Sequence, residues 1–339
     1  PPAFDPCGWR GEELDEDGVF RLSAARNEYE SLQVVVNPGA EAQVIDAVRV
    51  VFDASPELST SCPIQTLVHR VGYLNITTVS DCSGAPGLWP DPLIPVRDAW
   101  FGERRNALPV ELGMDSPTVF WIDLYVPEGG EGECAPGEFA AQVEVDLSAS
   151  GTIVLPFHLE LFGFSLASTS SSYRTSYGLS PVGIVMAKYG ERDWKDIYDN
   201  NPEEVARLAQ MYMELGLMHR VSLTHGGAAD KAVHRNERNG SYEVDWKSFD
   251  ARWEDLLVGS DSQRPGRALP FGPRRGVRVT SFEVPLGQPT SSGAFPLPTL
   301  FYEHARERGW DLSKLVSKVC DEPSSREQWH ECARNCAGA

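Results

Sequence analysis

Residues 317–323 read Ser317-Lys318-Val319-Cys320-Asp321-Glu322-Pro323, a short apolar strand that ends on two adjacent carboxylates and a proline. In a β/α barrel, reactive side chains lie where strands end and loops begin. Two carboxylates at such a place can divide the roles of acid, base and orienting group, because like charges this close together do not both ionise easily. Asp-Glu-Pro is also an ordinary turn sequence. The function of this pair therefore depends on the fold predicted for the residues that precede it.

The composition is that of a folded, acidic protein. The chain has 339 residues, of which 41% are hydrophobic and nine are tryptophan, and its formal net charge is −19. This length is enough for two domains. The negative charge argues against nucleic acid or an anionic membrane as the main partner. No apolar run is long enough for insertion into a bilayer.

Seven cysteines and two N-glycosylation sequons, at Asn75 and Asn239, favour a secreted, disulfide-bonded glycoprotein with an extracellular location. No two cysteines form a Cys-x-x-Cys pair, and the sequence leaves the connectivity open. We expect Cys320, on a predicted buried strand, to be the unpaired thiol. The pairs compatible with the sequence include Cys62–Cys82, Cys7–Cys134 and Cys332–Cys336.

Residues 1–164 predict an antiparallel β-sandwich domain. Short segments such as Phe120–Val126 alternate apolar and polar residues, and turn sequences such as Asn37-Pro38-Gly39 separate them. This combination is typical of two packed antiparallel sheets. The predicted strands are 19–22, 30–36, 44–52, 66–79, 120–126, 139–147 and 153–164.

The rest of the chain predicts a different architecture. Residues 165–172 are Ser-rich and predict a linker. Residues 173–339 alternate strand and helix, which indicates a parallel α/β sheet. Eight such units make a TIM-type barrel, whereas about four are present, so we expect the first half of a barrel. A missing C-terminal segment or another chain would complete it, because open sheet edges are avoided. The predicted strands are 173–179, 220–224, 277–284 and 315–320, and the predicted helices are 201–216, 249–258, 300–308 and 324–336.

Several segments, taken in order, resemble a known group of proteins. They are 25–35 (Ala-Arg-Asn-Glu-Tyr-Glu-Ser-Leu-Gln-Val-Val), 89–95 (Trp-Pro-Asp-Pro-Leu-Ile-Pro), 120–127, 136–139, Arg308-Gly309-Trp310 and Cys320-Asp321-Glu322-Pro323. The set resembles glycoside hydrolase family 123 and the related domain-of-unknown-function family 4091. The resemblance extends over nearly the whole chain and implies a β-sandwich followed by a (β/α) barrel.

The resemblance also implies an activity and two catalytic residues. It implies retaining, substrate-assisted cleavage of terminal β-linked N-acetylgalactosamine from glycans, with the acetamido group of the substrate as nucleophile. Glu322 would be the general acid/base, and Asp321 would orient and stabilise the acetamido group. The charge of Asp321 would help to keep Glu322 protonated. Adjacent strand residues point to opposite faces, so we expect the strand to end or bulge at this pair.

Three further residues are candidates for contacts with a glycan substrate. His225, Tyr177 and Glu283 each lie at or near the end of a predicted strand, where a barrel site opens. The alternatives are solvent exposure for His225 and Glu283 and packing for Tyr177. The sequence contains no cluster with metal-ligand spacing and no phosphate-binding glycine loop, so we expect neither a metal nor a cofactor.

A second function of a different class is compatible with the same sequence. The chain would then be a non-catalytic extracellular component, structural or glycan-binding, of a surface or appendage assembly. The sequons, the cysteines, the acidic composition and the incomplete barrel favour it. Whether the protein is a β-N-acetylhexosaminidase-like glycosidase therefore depends on completion of the barrel.

Overall fold

The computed structural model describes residues 19–39, 43–53, 62–79, 84–98, 100–113, 117–128, 134–169, 173–224, 232–258, 277–287, 294–318, 320 and 323–338. The chain divides into two units. One comprises Pro1–Leu166 with Pro270–Gly272, and the other comprises Ala167–Leu269 with Pro273–Ala339. The domain bounds 1–164, 165–172 and 173–339 stay predictions.

The described part of the first unit is β-rich, with nine strands in two sheets. The order of one sheet is β1-β9-β8-β3-β6, and that of the other is β2-β7-β4-β5. The strands are β1 (Phe20–Arg26), β2 (Glu28–Val36), β3 (Gln43–Phe52), β4 (Gln65–Ile76), β5 (Gly87–Pro95), β6 (Val110–Leu112), β7 (Thr118–Val126), β8 (Gly137–Leu147) and β9 (Gly151–Ser165).

Alternating side chains give each sheet a buried face. In β8, every second residue from Ala141 to Leu147 is buried and the residues between are half-buried. Buried side chains from both sheets, such as Ile122 of β7 and Leu159 of β9, belong to one hydrophobic core. Each fully buried side chain of this size contributes on the order of 2 kcal/mol, so this shared core holds the two sheets together.

One strand pair contradicts the prediction of a purely antiparallel domain. β1 runs parallel to β9, with Phe20 opposite Phe157 and Ala24 opposite Leu161. The other pairings in the two sheets are antiparallel. The prediction was wrong here because apolar–polar alternation determines which face a strand buries, and not the direction in which it runs.

A buried asparagine makes the corner between β1 and β2. Asn27 has a φ of 60°, a left-handed conformation that asparagine tolerates better than most residues. Its side chain donates to the carbonyl of Leu166 (2.7 Å) and accepts from the hydroxyl of Tyr125 (2.5 Å). This residue therefore fixes the start of β2 to the end of β9 and to β7.

Strand β5 was not predicted because prolines obscure it. It contains Pro90, Pro92 and Pro95, which cannot donate to a strand ladder. The structure places β5 at the edge of its sheet, beside β4 only. An edge strand tolerates proline because one side of its backbone has no neighbouring strand.

The disulfides differ from the expected ones. Cys62 bonds to Cys134 and Cys320 bonds to Cys332, whereas Cys336 is free and exposed. The expectation that Cys320 is the unpaired thiol was therefore wrong. Cys62 and Cys134 are separated by 72 residues and meet because the sheets bring them together, which sequence spacing does not reveal. Cys7 and Cys82 lie outside the described residues. Disulfides are typical of proteins from oxidising compartments.

The second unit contains helices and short strands, which alternate only in part as predicted. Two pairs of strands are parallel, β10 with β11 and β14 with β15, and β12 with β13 is an antiparallel hairpin. The elements are β10 (Tyr177–Gly178), α1 (Pro181–Asn200), α2 (Pro202–Met218), β11 (Leu223–Thr224), β12 (Val233–Arg235), β13 (Tyr242–Val244), α3 (Trp246–Val258), β14 (Phe282–Glu283), α4 (Pro296–Glu307), a 3-10 turn (Leu312–Lys314), β15 (Leu315–Val316) and α5 (Arg326–Gly338).

Helix α2 begins as predicted and ends later. The side chain of Asn201 accepts from the backbone N–H of Glu204 (3.2 Å), and Pro202 occupies the first turn, where its missing N–H costs nothing. Gly216 was predicted to end the helix, but the helix continues to Met218. A side chain at Gly216 would place its Cβ 2.7 Å from the carbonyl oxygen of Val221. The glycine is therefore required by close packing and not by helix termination.

Helix α1 has no counterpart among the predicted elements. Ser180 caps it by accepting from the N–H of Gly183 (3.1 Å), and Gly190, at a φ of 77°, interrupts it. Its buried residues are Ile184 and Val185. Because so little of the helix is buried, its sequence lacks the apolar periodicity by which helices are recognised.

Candidate functional site

The structure describes two of the five residues predicted for the strand-end site. Tyr177 lies in β10 and is 56% exposed. Glu283 is the last residue of β14 and is half-buried. They belong to different strand pairs and do not hydrogen-bond to each other in the described part of the chain. His225, Asp321 and Glu322 lie outside the described residues, so their roles stay predictions.

The amino ends of three strands meet in a ring of hydrogen bonds. The backbone N–H of Thr175 donates to the hydroxyl of Thr280 (2.9 Å). The N–H of Thr280 donates to the hydroxyl of Ser222 (2.8 Å), and the N–H of Ser222 donates to the hydroxyl of Thr175 (2.8 Å). These three residues, here called the hydroxyl ring, lie just before β10, β14 and β11. The ring thus joins both parallel strand pairs.

The hydroxyl ring satisfies backbone groups that are shielded from water. Ser222 and Thr280 are buried, and a buried N–H without an acceptor is strongly disfavoured. The neighbouring Ser281 adds a further bond, from its hydroxyl to the carbonyl of Thr175 (2.6 Å). Sequence reasoning missed this arrangement. The available signal is a Ser or Thr one or two residues upstream of each of the three strands.

A buried lysine precedes the strand that leads to Asp321 and Glu322. Lys314 is 7% exposed, and its Nζ donates to the carbonyl of Leu257 near the end of α3 (2.8 Å). Arg278 donates to the carbonyl of Val258 (3.3 Å). Cations at the carboxyl end of a helix satisfy its last carbonyls and its dipole. Lys314 therefore anchors the start of β15 to α3.

The segment Arg308-Gly309-Trp310, one of the motifs behind the family resemblance, has a packing role. Trp310 and His304 form a T-shaped ring pair (5.3 Å between centroids), and Trp246 stacks parallel to the His304 ring (3.9 Å). His304 Nε2 lies 2.7 Å from a carboxylate oxygen of Asp250, and Arg308 pairs with Asp250 at 3.5 Å. This cluster joins α3 to α4 and contains no predicted site residue.

Both sequon asparagines are exposed. Asn75 lies in β4. Asn239 lies in the turn between β12 and β13, where its side-chain oxygen accepts from the N–H (3.0 Å) and the hydroxyl (2.8 Å) of Ser241. Glycosylation at either position stays a prediction.

The residues that the structure describes contain neither a metal-binding cluster nor a membrane-spanning helix. Within them, no group of three or more His, Cys, Asp or Glu side chains is arranged to hold a metal ion. None of the helices in the same residues is long and apolar enough to cross a membrane.

Comparison with known proteins gives similarities at the level of solved structures. No family model and no curated protein matches the chain. The chain is similar to a family 123 glycoside hydrolase from Clostridium perfringens, studied for glycolipid glycan hydrolysis, with a TM-score of 0.49 and 13% identity over 94% of this chain and 56% of that chain. It therefore spans little more than half the length of that hydrolase.

Two further similarities are weaker. A GH5 xyloglucanase from Bacteroides ovatus matches with a TM-score of 0.20 and 10% identity, over 90% of this chain and 44% of that chain. The CupB6 tip adhesin from Pseudomonas aeruginosa matches with a TM-score of 0.21 and 11% identity, over 42% of each chain. At these identities and TM-scores, none of the three structures assigns the chain to a family.

The hydroxyl ring predicts the effect of an isosteric substitution. Thr280→Val keeps the side-chain shape but removes the acceptor for the N–H of Thr175, so we expect the free energy of unfolding to fall by about 2 kcal/mol. Thr299→Val, on the exposed face of α4, is the matched control and should change stability by less than about 0.5 kcal/mol. Urea denaturation measures both. Equal stabilities of the two variants would contradict a structural role for the ring.

Lys314 predicts a pH dependence of stability. Burial, and next the positive charge of Arg278, lower the pKa of Lys314 from 10.5 to about 8. Below pH 8, Lys314 is charged in both the folded and the unfolded protein, so the full cost of burying its charge lowers the free energy of unfolding. As the pH rises from 8 to 10.5, the folded protein loses this proton first and the cost is removed. Relative to Lys314→Met, the protein should gain up to about 3 kcal/mol of unfolding free energy over this range.

Denaturation of both proteins across this pH range tests the point. Cys336→Ser should be present in both, because it prevents exchange between the free thiol and the disulfides at alkaline pH. If the difference in unfolding free energy between the two proteins stays constant from pH 8 to 10.5, folding does not lower the pKa of Lys314 and the prediction is wrong.

Proposed function

We propose that this protein is a glycoside-hydrolase-like protein that releases terminal N-acetylhexosamine, specifically β-linked N-acetylgalactosamine, from glycans. Its architecture would be a β-sandwich followed by the first half of a (β/α) barrel. The observation that carries the proposal is the Asp321-Glu322 pair, which follows β15 in the sequence of a unit whose parallel strands alternate with helices. Barrel active sites lie at the carboxyl ends of such strands.

In the proposed reaction, the two carboxylates act on opposite parts of the substrate. The acetamido oxygen of the sugar attacks its own anomeric carbon while Glu322 donates a proton to the departing glycosidic oxygen. Asp321 orients the acetamido group and stabilises the positive charge of the resulting oxazolinium ion. Glu322 then removes a proton from water, which opens the ring and gives a product of retained configuration.

The described residues supply contacts for a sugar. The exposed ring of Tyr177 can pack against the apolar face of a pyranose, as aromatic rings combine an apolar surface with a polar group. The half-buried carboxylate of Glu283 can accept hydrogen bonds from hydroxyl groups. His225 is the third proposed contact. An extracellular location with glycans at Asn75 and Asn239 is part of the proposal, and the two disulfides support it.

A non-catalytic role is the second candidate, and one observation favours it. The parallel strands of the described residues form two separate pairs and not a continuous sheet. A further segment or another chain would be needed to complete a barrel around the site. Without one, the protein would serve as a structural or glycan-binding component of a surface or appendage assembly.

Substitution of the proposed acid tests the hydrolase directly. In the longest natural form of the protein, Glu322→Gln should lower kcat on 4-nitrophenyl N-acetyl-β-galactosaminide at least about 100-fold, because general acid–base catalysis is lost. A substrate with a better leaving group, such as the 2,4-dinitrophenyl glycoside, should lose less, since its departure needs little protonation. Glu327→Gln, exposed on α5, is the matched control.

The same assay separates the two candidate functions. Unchanged hydrolysis by Glu322→Gln would remove this residue as the acid. No hydrolysis by the unsubstituted protein, together with retained binding of N-acetylgalactosaminides, would favour the non-catalytic role.

A further inference from the structure

A cleft of about 560 Å³ opens in the second unit. The starts of α2 and α3 and the strand β12 surround it, and Tyr177 and Glu283 are not among the residues that line it. Its volume is within the range of clefts that hold small molecules.

The cleft has an apolar wall and a polar rim. Ala232, Phe249 and Trp253 line it and are all more than nine-tenths buried, so they form its apolar wall. Glu203 and His234 line the exposed rim. A wall of this kind with a few polar groups at its edge is typical of ligand sites.

The rim carries negative charge that the protein does not fully neutralise. Both carboxylate oxygens of Asp245 accept hydrogen bonds from Ser248, one from its N–H (3.1 Å) and one from its hydroxyl (2.6 Å). These bonds hold the pKa of Asp245 below its usual value. Asp199 pairs with Lys195 at 2.5 Å. The side chain of Glu203, by contrast, makes no hydrogen bond or ion pair with the described residues.

These features select a class of ligand. Carboxylates at the rim repel anions, and the apolar wall favours a ligand with a carbon face. A protonated amine attached to a ring satisfies both conditions. Neutral sugars offer the ring without the charge, and metal ions offer the charge without the apolar face.

We propose that the cleft binds an amino sugar with a free amino group, with its ammonium group in the field of Glu203 and Asp245 and its carbon face against the apolar wall. The choice of a sugar rests on the proposed function of the protein. The requirement for a positive charge rests on the cleft alone.

Two sugars that differ only at the amino group provide the test. The chain is titrated with D-galactosamine and, separately, with N-acetyl-D-galactosamine at pH 7 and low ionic strength, and backbone amide shifts are followed by NMR. We expect galactosamine to bind at least about fivefold more tightly, with shifts at Val233, His234 and Ser248. Added salt should weaken its binding, because screening reduces the attraction between charges.

Matched variants distinguish the cleft from the general negative charge of the protein. Glu203→Gln should weaken galactosamine binding about fivefold. Glu303→Gln makes the same charge change on the exposed face of α4, outside the cleft, and should leave binding unchanged. Equal affinity for the two sugars, absence of binding, or an equal effect of the two substitutions would overturn the proposal.

The test is independent of hydrolysis. A Glu322→Gln variant should bind galactosamine as the unsubstituted chain does, because the proposed binding does not use Glu322. If the hydrolase proposal fails, the galactosamine titration still tests the cleft. If galactosamine does not bind, the hydrolysis assay still tests the proposed activity.

Discussion

The second unit depends on the satisfaction of backbone amides at the amino ends of its strands. Three N–H groups there are bonded to three hydroxyls, those of Thr280, Ser222 and Thr175, in a closed ring. The parallel strands that follow are only two residues long and offer few ladder bonds of their own. Because buried polar groups require partners, the ring sets how the three segments lie beside one another.

This arrangement separates the fixed ends of the strands from the ends where chemistry is proposed. The hydroxyl ring holds the amino ends, and Lys314 ties the start of β15 to the carboxyl end of α3. Of the described residues proposed to contact substrate, Glu283 lies at the opposite end, as the last residue of β14, whereas Tyr177 is the first residue of β10. Barrel enzymes divide stability and catalysis between the two ends of their strands in the same way. The loops at the catalytic end can then change while the interactions that hold the other ends of the strands stay the same.

Sequence reasoning succeeded where a local pattern determines the structure. The alternation in β7 and the Asn201-Pro202 helix start both have local causes, and both were predicted. Features that depend on which segments meet in space could not be predicted from the sequence. They are the parallel direction of β1, the Cys62–Cys134 disulfide and the role of Gly216. For the site, Glu283 ends its strand as the sequence predicted, whereas Tyr177 begins β10 and does not end it. The hydroxyl ring and the cleft beside Glu203 were missed because both depend on segments that meet only in the folded unit.

The central claim is that the acetamido group of the substrate acts as the nucleophile and gives a product of retained configuration. The stereochemistry of hydrolysis tests this most directly. Proton NMR can follow cleavage of a β-linked N-acetylgalactosaminide by the longest natural form of the protein, before the released sugar mutarotates. The account predicts that the β-anomer of N-acetylgalactosamine is formed first. Initial formation of the α-anomer, or no release of the sugar, would contradict it.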